Sequence, residues 1–395
     1  MGFLKRLNRF KIFQHSFKEP ADFYAHQIKT PNMISKISGL NVFSEDFTVP
    51  NKFLFGILLL LGFYFYINAA SAYEMRNDTE DLINSLTTFG IATQAASKLV
   101  IFIIFRKDLN WLHKYTEQLY REECNPRTRE LLTDNVFLLS VILKTMMVGY
   151  GFTSFSLDVA PMLVLAFTGS KLLPFGFYIP HIDRFSWFGY IINYMVQIIL
   201  TVFVTSEDMG PDCIYMIISM NAFTQIDLII DSLKEVNRHI EAGDLEVDDH
   251  IIKIIQRHQE HLKYLRTVEI IFRMIFFASF VSLSSVLILS LFAVVTLGWY
   301  QGIVFILFVS YQLFFGCFLG TFLEFKNEQL QREIYTISWY KLSIKNQKSL
   351  RFLLQSAQEP VNWTLIFARL NIPTYLQVYK TIYSIFTMLL TVREE

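Results

Sequence analysis

The sequence predicts an all-α integral membrane protein with seven transmembrane helices, a cytoplasmic N-terminus and an extracellular C-terminus. Three observations lead there. Hydrophobic residues make up 53% of the 395 positions and charged ones 18%, with 39 Phe. Mean hydropathy is +0.36. A soluble domain of this length cannot cover so much apolar surface. Second, the apolar residues gather in stretches near the roughly 20 residues that a helix needs to cross a bilayer. Third, Lys and Arg sort strongly to alternate loops.

The expected spans are about 51–70, 83–105, 136–166, 187–205, 272–297, 301–323 and 372–390. The second is interrupted by Asn84, Thr87, Thr88, Thr93, Gln94 and Lys98. Polar content of that kind marks a helix facing protein or a cavity rather than lipid. The segment Cys213–Leu233 is apolar enough for an eighth span, yet it contains Asn221, Gln225, Asp227 and Asp231. A long fourth helix that continues into the cytoplasm, its inner part packed on other helices, accounts for it better.

Counting Lys52 and Arg273 at the inner ends of their spans, eight Lys and Arg come before the first span, six follow the second, seven the fourth and seven the sixth. The other side holds only Arg76, Lys171, Arg184 and Arg393. Positive charge stays cytoplasmic, which sets the orientation. Asn77-Asp78-Thr79 is then a glycosylation acceptor at Asn77 in the first external loop. Asn362-Trp363-Thr364 falls on the inner side, where no glycan is expected. Of the cysteines Cys124, Cys213 and Cys317, none lies outside, so no disulfide is expected.

Three regions follow. Residues 1–325 hold six helices and an outer ligand pocket, with cytoplasmic extensions over 206–271. Residues 326–371 form a cytoplasmic anchor, and 372–395 the last helix. Within the inner part, 248–270 reads as an amphipathic helix with Asp248 and Asp249 at its start, and 328–358 as a second one ending before Pro360. They pack either within one subunit or as a platform between subunits.

Net charge is zero, which speaks against a nucleic-acid partner. No enzymatic site is visible, and no cofactor is expected. His258-Gln259-Glu260-His261 lacks the spacing of a zinc-protease helix and lies on a basic helix, so it reads as a solvated face. There is no phosphate-cradling glycine loop and no nucleophile elbow.

The last helix carries a stripe. At 100° per residue, Thr374, Gln377, Thr381, Ser384, Met388 and Thr391 share one face. Ser and Thr are common where helices pack in membranes. A stripe through the whole membrane thickness, with Lys380 near mid-depth, also suits the wall of a water-filled conduit. Met388 and Val392 near its outer end could form an apolar constriction that gates by dewetting. One stripe cannot close a channel, so several subunits would share it.

The outer ends of spans 2, 3, 4 and 6 gather aromatics with a few polar groups. The candidate ligand-binding residues are Leu86, Phe89, Tyr150, Thr153, Phe155, Tyr190, Ile191, Tyr194, Gln197, Tyr300 and Val304. Such a lining suits a small apolar molecule held by shape and one or two hydrogen bonds. Ordinary packing and an interfacial aromatic belt produce the same pattern.

Two stretches resemble the insect odorant receptors. One runs from Leu173 to Asp183, with Asp212 further on. The other holds Cys317 and Gly320, then Tyr335 with Trp339-Tyr340, Lys348 and Leu350, Gln358-Glu359-Pro360 and Tyr383-Ser384-Ile385-Phe386. The resemblance implies an odour-gated cation channel of four subunits around one pore, lined by the outer half of the last helix. It implies a gate at Met388 and Val392, with Gln377, Thr381, Ser384 and Thr391 along the pore. The family's shared co-receptor has an extended second cytoplasmic loop, and here that loop is short. The chain is therefore similar to an odour-tuning subunit that pairs with the co-receptor in the plasma membrane of olfactory sensory neurons. Its ligand would be a small volatile, and the many aromatics point to an aromatic one. A gustatory-type channel is the near alternative. Its last-helix signature has Gln seven residues after the Thr of Thr374-Tyr375, where this chain has Thr381. A G-protein-coupled chemoreceptor is the more distant one, disfavoured by the inverted orientation.

Overall fold

The computed structural model describes residues 17–394 apart from positions 18, 38, 42, 44–51, 78, 123–124, 244–246 and 300–301. Ten α-helices are found among them. They are α1 Pro20–Ile37, α2 Lys52–Glu74, α3 Thr79–Ile104, α4 Arg106–Arg121, α5 Pro126–Thr168, α6 Trp187–Ala242, α7 Val247–Leu297, α8 Gly302–Thr336, α9 Ile344–Gln358 and α10 Ile372–Glu394. A single 3₁₀ turn, Trp339–Lys341, separates α8 from α9. Among the described residues the one strand-like pairing is an isolated bridge between Thr364 and Arg369.

Six helices, α2, α3, α5, α6, α7 and α8, are long and apolar enough to cross a membrane. The last, α10, has a spanning length of 23 residues but carries the polar stripe. The long helices begin and end where the sequence punctuates them. Asn125 accepts from the Thr128 N–H at 2.8 Å and Pro126 follows it, which starts α5. Ser186 does the same for α6 by accepting from Gly189 N–H at 3.0 Å. Gly169 and Gly243 end α5 and α6 with φ of 73° and 77°, a conformation that costs other residues more.

The segment 213–233 lies in the middle of α6, and most of it is fully buried. Its polar residues have partners. Asn221 donates to Tyr24 Oη of α1 at 3.1 Å and accepts from Tyr120 Oη of α4 at 3.4 Å. Gln225 meets His261 at 3.0 Å. Asp227 pairs with Lys326 of α8, and Asp231 pairs with Arg127 of α5 at 2.8 Å. A membrane span facing lipid could satisfy none of these groups. Helices α1 and α4 supply much of this shell, and neither is marked by hydropathy.

Two expectations need correction. The stretch 328–358 is two helices, not one. The chain breaks at Ser338, whose N–H is held by Asn237 Oδ1 at 2.8 Å, and Ser343 caps a fresh start. His258 and His261 are not on a solvated face, since they are 3% and 1% exposed and turn toward the core. The basic residues of that helix occupy its other side. Asp248 and Asp249 sit in the first turn of α7, where they complement the helix dipole.

Between α9 and α10 the chain folds back on itself. Leu370 N–H donates to Trp363 C=O at 2.9 Å, and Leu365 N–H to Ala368 C=O at 2.7 Å. This buries Trp363 against the rings of Tyr215 and Phe223. The Leu370 carbonyl lies directly on Gly320 of α8, where a Cβ would overlap it. Asn371 then caps α10 through Thr374 N–H at 3.2 Å, and α10 packs on α7 and α8.

Candidate ligand cavity and polar-faced last helix

A cavity of about 60 Å³ lies between α2, α3, α5, α6 and α8, covered by the loop after α5. Its apolar wall is Ile91, Leu157, Leu200 and Val204 with the rings of Phe175, Phe177, Phe305 and Phe308. Its polar wall is Tyr64, Thr88, Tyr150, Thr153, Ser154, Thr201, Thr205 and Asp208. The loop supplies Phe175 and Phe177, which stack at 5.8 Å, and Phe177 meets Tyr64 edge-on at 5.3 Å.

The loop is held inward by buried amides. Gln197 accepts from Phe175 N–H at 3.1 Å and donates to the carbonyls of Phe175 and Phe177. Asn193 accepts from Ile179 N–H at 2.7 Å, and Ser71 exchanges two bonds with the Tyr178 backbone. Gly189 sits against the Asp183 carbonyl, so α6 can start close under the loop.

Behind the cavity lies a charge cluster. Lys98 of α3 stands 2.8 Å from Asp212 and 3.2 Å from Asp208, both on α6, and its side chain is 2% exposed. Tyr150 donates its hydroxyl to Asp212 and accepts from Gln312 of α8 at 2.7 Å. Beyond Lys98 a second cavity of about 30 Å³ is bounded by Gln94, Asp212, Ser279 and Gln312. A cleft of about 360 Å³ among Glu122, His250, Arg257 and Glu260 lies elsewhere and is lined mostly by polar and charged side chains, with only Val236 and Ile254 apolar.

The expected pocket residues divide by place. Tyr150 and Thr153 line the cavity. Tyr190, Tyr194 and Gln197 are buried just beyond it: Tyr190 and Gln197 tie its cover, Tyr190 by donating to Leu172 C=O at 3.0 Å, and Tyr194 ties α6 to α5 by donating to Asp158 C=O. Leu86, Phe89, Phe155 and Ile191 are exposed on the outside of the chain. Val304 is half-buried and does not line the cavity, and Tyr300 lies outside the described residues. The loop phenylalanines escaped the helix-by-helix reading, although Leu173–Asp183 stood out as a motif. Asp208 lies in the polar stretch Thr205–Asp208, just past the expected end of the fourth span, and that stretch was the signal for the polar wall.

On α10, Gln377, Thr381, Ser384, Met388 and Thr391 are all exposed. The opposite side is packed: Ile382 is buried, and Tyr379 donates to Ser310 of α8. The side chain of Val392 lies outside the described residues. Asn77 is exposed in the tight turn between α2 and α3.

Fold and cavity define a multi-pass helical membrane protein with a small buried cavity among its helices. Residues 78–383 match the family described as 7tm odorant receptor. The chain belongs to that family. It is 23% identical over 325 residues to putative odorant receptor 83c of Drosophila melanogaster, covering 78% of this chain and 81% of that one. It is 21% identical over 391 residues to odorant receptor 49a of the same fly, covering 92% and 95%. Among solved structures it is similar to the insect olfactory receptor OR5 from Machilis hrabei in complex with eugenol. That likeness has a TM-score of 0.75 at 17% identity, over 93% of this chain and 99% of the other.

Proposed function

We propose that this chain is the odour-binding subunit of a ligand-gated, non-selective cation channel. It assembles with the odorant co-receptor as a heterotetramer in the plasma membrane of olfactory sensory neurons. A small volatile enters the cavity between α2, α3, α5, α6 and α8, and α10 lines the pore. One observation carries this reading. Gln377, Thr381, Ser384, Met388 and Thr391 of the stripe are exposed together on a helix whose other side is packed on its own chain. Hydroxyl and amide groups across a membrane need water or a partner, and a shared axial pore supplies water.

The route from cavity to pore is short. Tyr150 in the cavity wall is bonded to Gln312, and Ser310 on the same helix is bonded to Tyr379 of α10. An odorant that displaces Tyr150 therefore acts on α8, and α8 acts on α10. The charge asymmetry of the loops supports a cytoplasmic N-terminus and an outer end of α10 at Met388. Asn77 is then external and open to glycosylation.

Excised patches from cells that co-express this chain and the co-receptor test the proposal. Odour-evoked currents without added GTP are expected, with Met388→Ala altering gating or basal current. Currents that require GTP, or a Met388→Ala channel identical to the parent, would overturn it.

A further inference from the structure

The cavity wall is rich in acceptors and poor in donors. A hydroxyl has one proton to give and two lone pairs. Tyr64 gives its proton to Thr88 C=O at 3.3 Å, and Thr88 gives its own to Asn68 Oδ1 or Ser85 C=O, each at 2.8 Å. Thr153 donates to Gly149 C=O at 2.9 Å, and Tyr150 donates to Asp212. Thr201 donates to Gln197 C=O at 2.8 Å or to Asp158 at 3.1 Å. Ser154 and Thr205 share a bond of 2.6 Å and leave one proton between them with no fixed acceptor. Lone pairs remain on these oxygens, and beside them lies the carboxylate of Asp208, itself 2% exposed.

The formal charge points the same way. Lys98 faces two carboxylates, Asp208 and Asp212, so these three groups sum to one negative charge. A carbonyl or ether oxygen placed here finds almost no donor and would meet lone pairs. An O–H or N–H group finds acceptors with lone pairs to spare, since among the described residues Asp208 is engaged only by Lys98 at 3.2 Å. Buried polar groups penalise a ligand that leaves them unmatched, which makes such a wall selective.

We propose that this receptor selects odorants bearing a hydrogen-bond donor, an alcohol, phenol or amine, whose O–H or N–H is accepted at Asp208 while the apolar body lies against Phe175 and Phe305. The inference rests on the cavity being the odorant site. It makes Asp208 the residue that sets ligand class.

The test uses matched trios on cells that co-express the chain and the co-receptor. These are phenethyl alcohol, its methyl ether and phenethylamine; octanol, methyl octyl ether and octylamine; and geraniol, its methyl ether and geranylamine. At least one donor-bearing member should act at a half-maximal concentration about tenfold or more below that of its ether. Asp208→Asn should narrow that gap, most of all for an amine, which also loses charge attraction. Ethers as potent as their alcohols and amines, or silence of every alcohol and amine, overturn the inference. Thr153→Phe, which fills the cavity, separates the two readings. If it abolishes responses while ethers equal alcohols, the site stands and donor selection fails. If it leaves every response unchanged in channels that reach the surface, the cavity is not the odorant site and both fail. The parent series decides donor selection even where a variant does not fold.

Discussion

Lys98 Nζ lies 2.8 Å from the Asp212 carboxylate inside the helical bundle, with 2% of the lysine side chain exposed. A charge so placed is tolerated because Asp208 and Asp212 on α6 neutralise it and because Tyr150, itself held by Gln312, donates to Asp212. The pair joins α3 to α6 directly behind the cavity, so it bears on both folding and the shape of the site.

Lys98→Met should therefore be costly. It strands the buried Asp208 carboxylate beside the partly exposed Asp212, and breaking a buried pair costs roughly 3–5 kcal/mol. Thermal unfolding in detergent and surface labelling in cells should both show the loss. Restoring balance with Asp212→Asn in the same chain should recover part of it. A Lys98→Met protein as stable as the parent would mean that the cluster is hydrated.

Gly320→Ala should destabilise the junction between α8 and α10. The added methyl overlaps the carbonyl of Leu370, a residue anchored through its N–H to Trp363 C=O. Overpacking of this kind costs about 1–3 kcal/mol. Gly149→Ala is the control, since a Cβ there meets nothing within 4 Å. It should be neutral or stabilising, because Ala is the better helix former. A melting temperature measured for each variant separates them.

Stability should fall in acid through two histidines of α7. Burial lowers the pKa of His258, and burial together with the nearby His258 lowers that of His261 to about 3. The unfolded chain binds these protons near the ordinary histidine value of about 6.5, before the folded chain does. Unfolding therefore takes up protons, and stability is lost as pH falls below about 6.5. Each histidine contributes a slope of up to about 1.4 kcal/mol per pH unit. Melting temperatures between pH 7.5 and 5 should show the decline, and His261→Asn should make it shallower.

The membrane spans were legible in the sequence because a bilayer demands long apolar runs and helices supply them. The stripe on α10 was legible for a related reason. On one helix, 100° per residue assigns Gln377, Thr381, Ser384 and Met388 to a common face without any knowledge of neighbours. Their shared exposure agrees with that geometry.

The cavity was not legible in the same way. In a membrane protein the outside is as apolar as the core, so an apolar side chain carries no direction. Phe155 and Tyr150 look alike in sequence five residues apart, yet one is exposed and the other buried. Tyr190 and Gln197 hold the cavity's cover because the loop after α5 folds down onto them, a long-range choice that no helical period contains. The helix break at Ser338 and the burial of His261 likewise depend on Asn237 and Gln225, partners far along the chain. Composition and periodicity alone determined a membrane-spanning helical chain with one polar-faced closing helix, since those depend on each segment and its solvent. Tertiary packing decided which oxygens face the cavity and which protons they have left to give, since that depends on which helices meet.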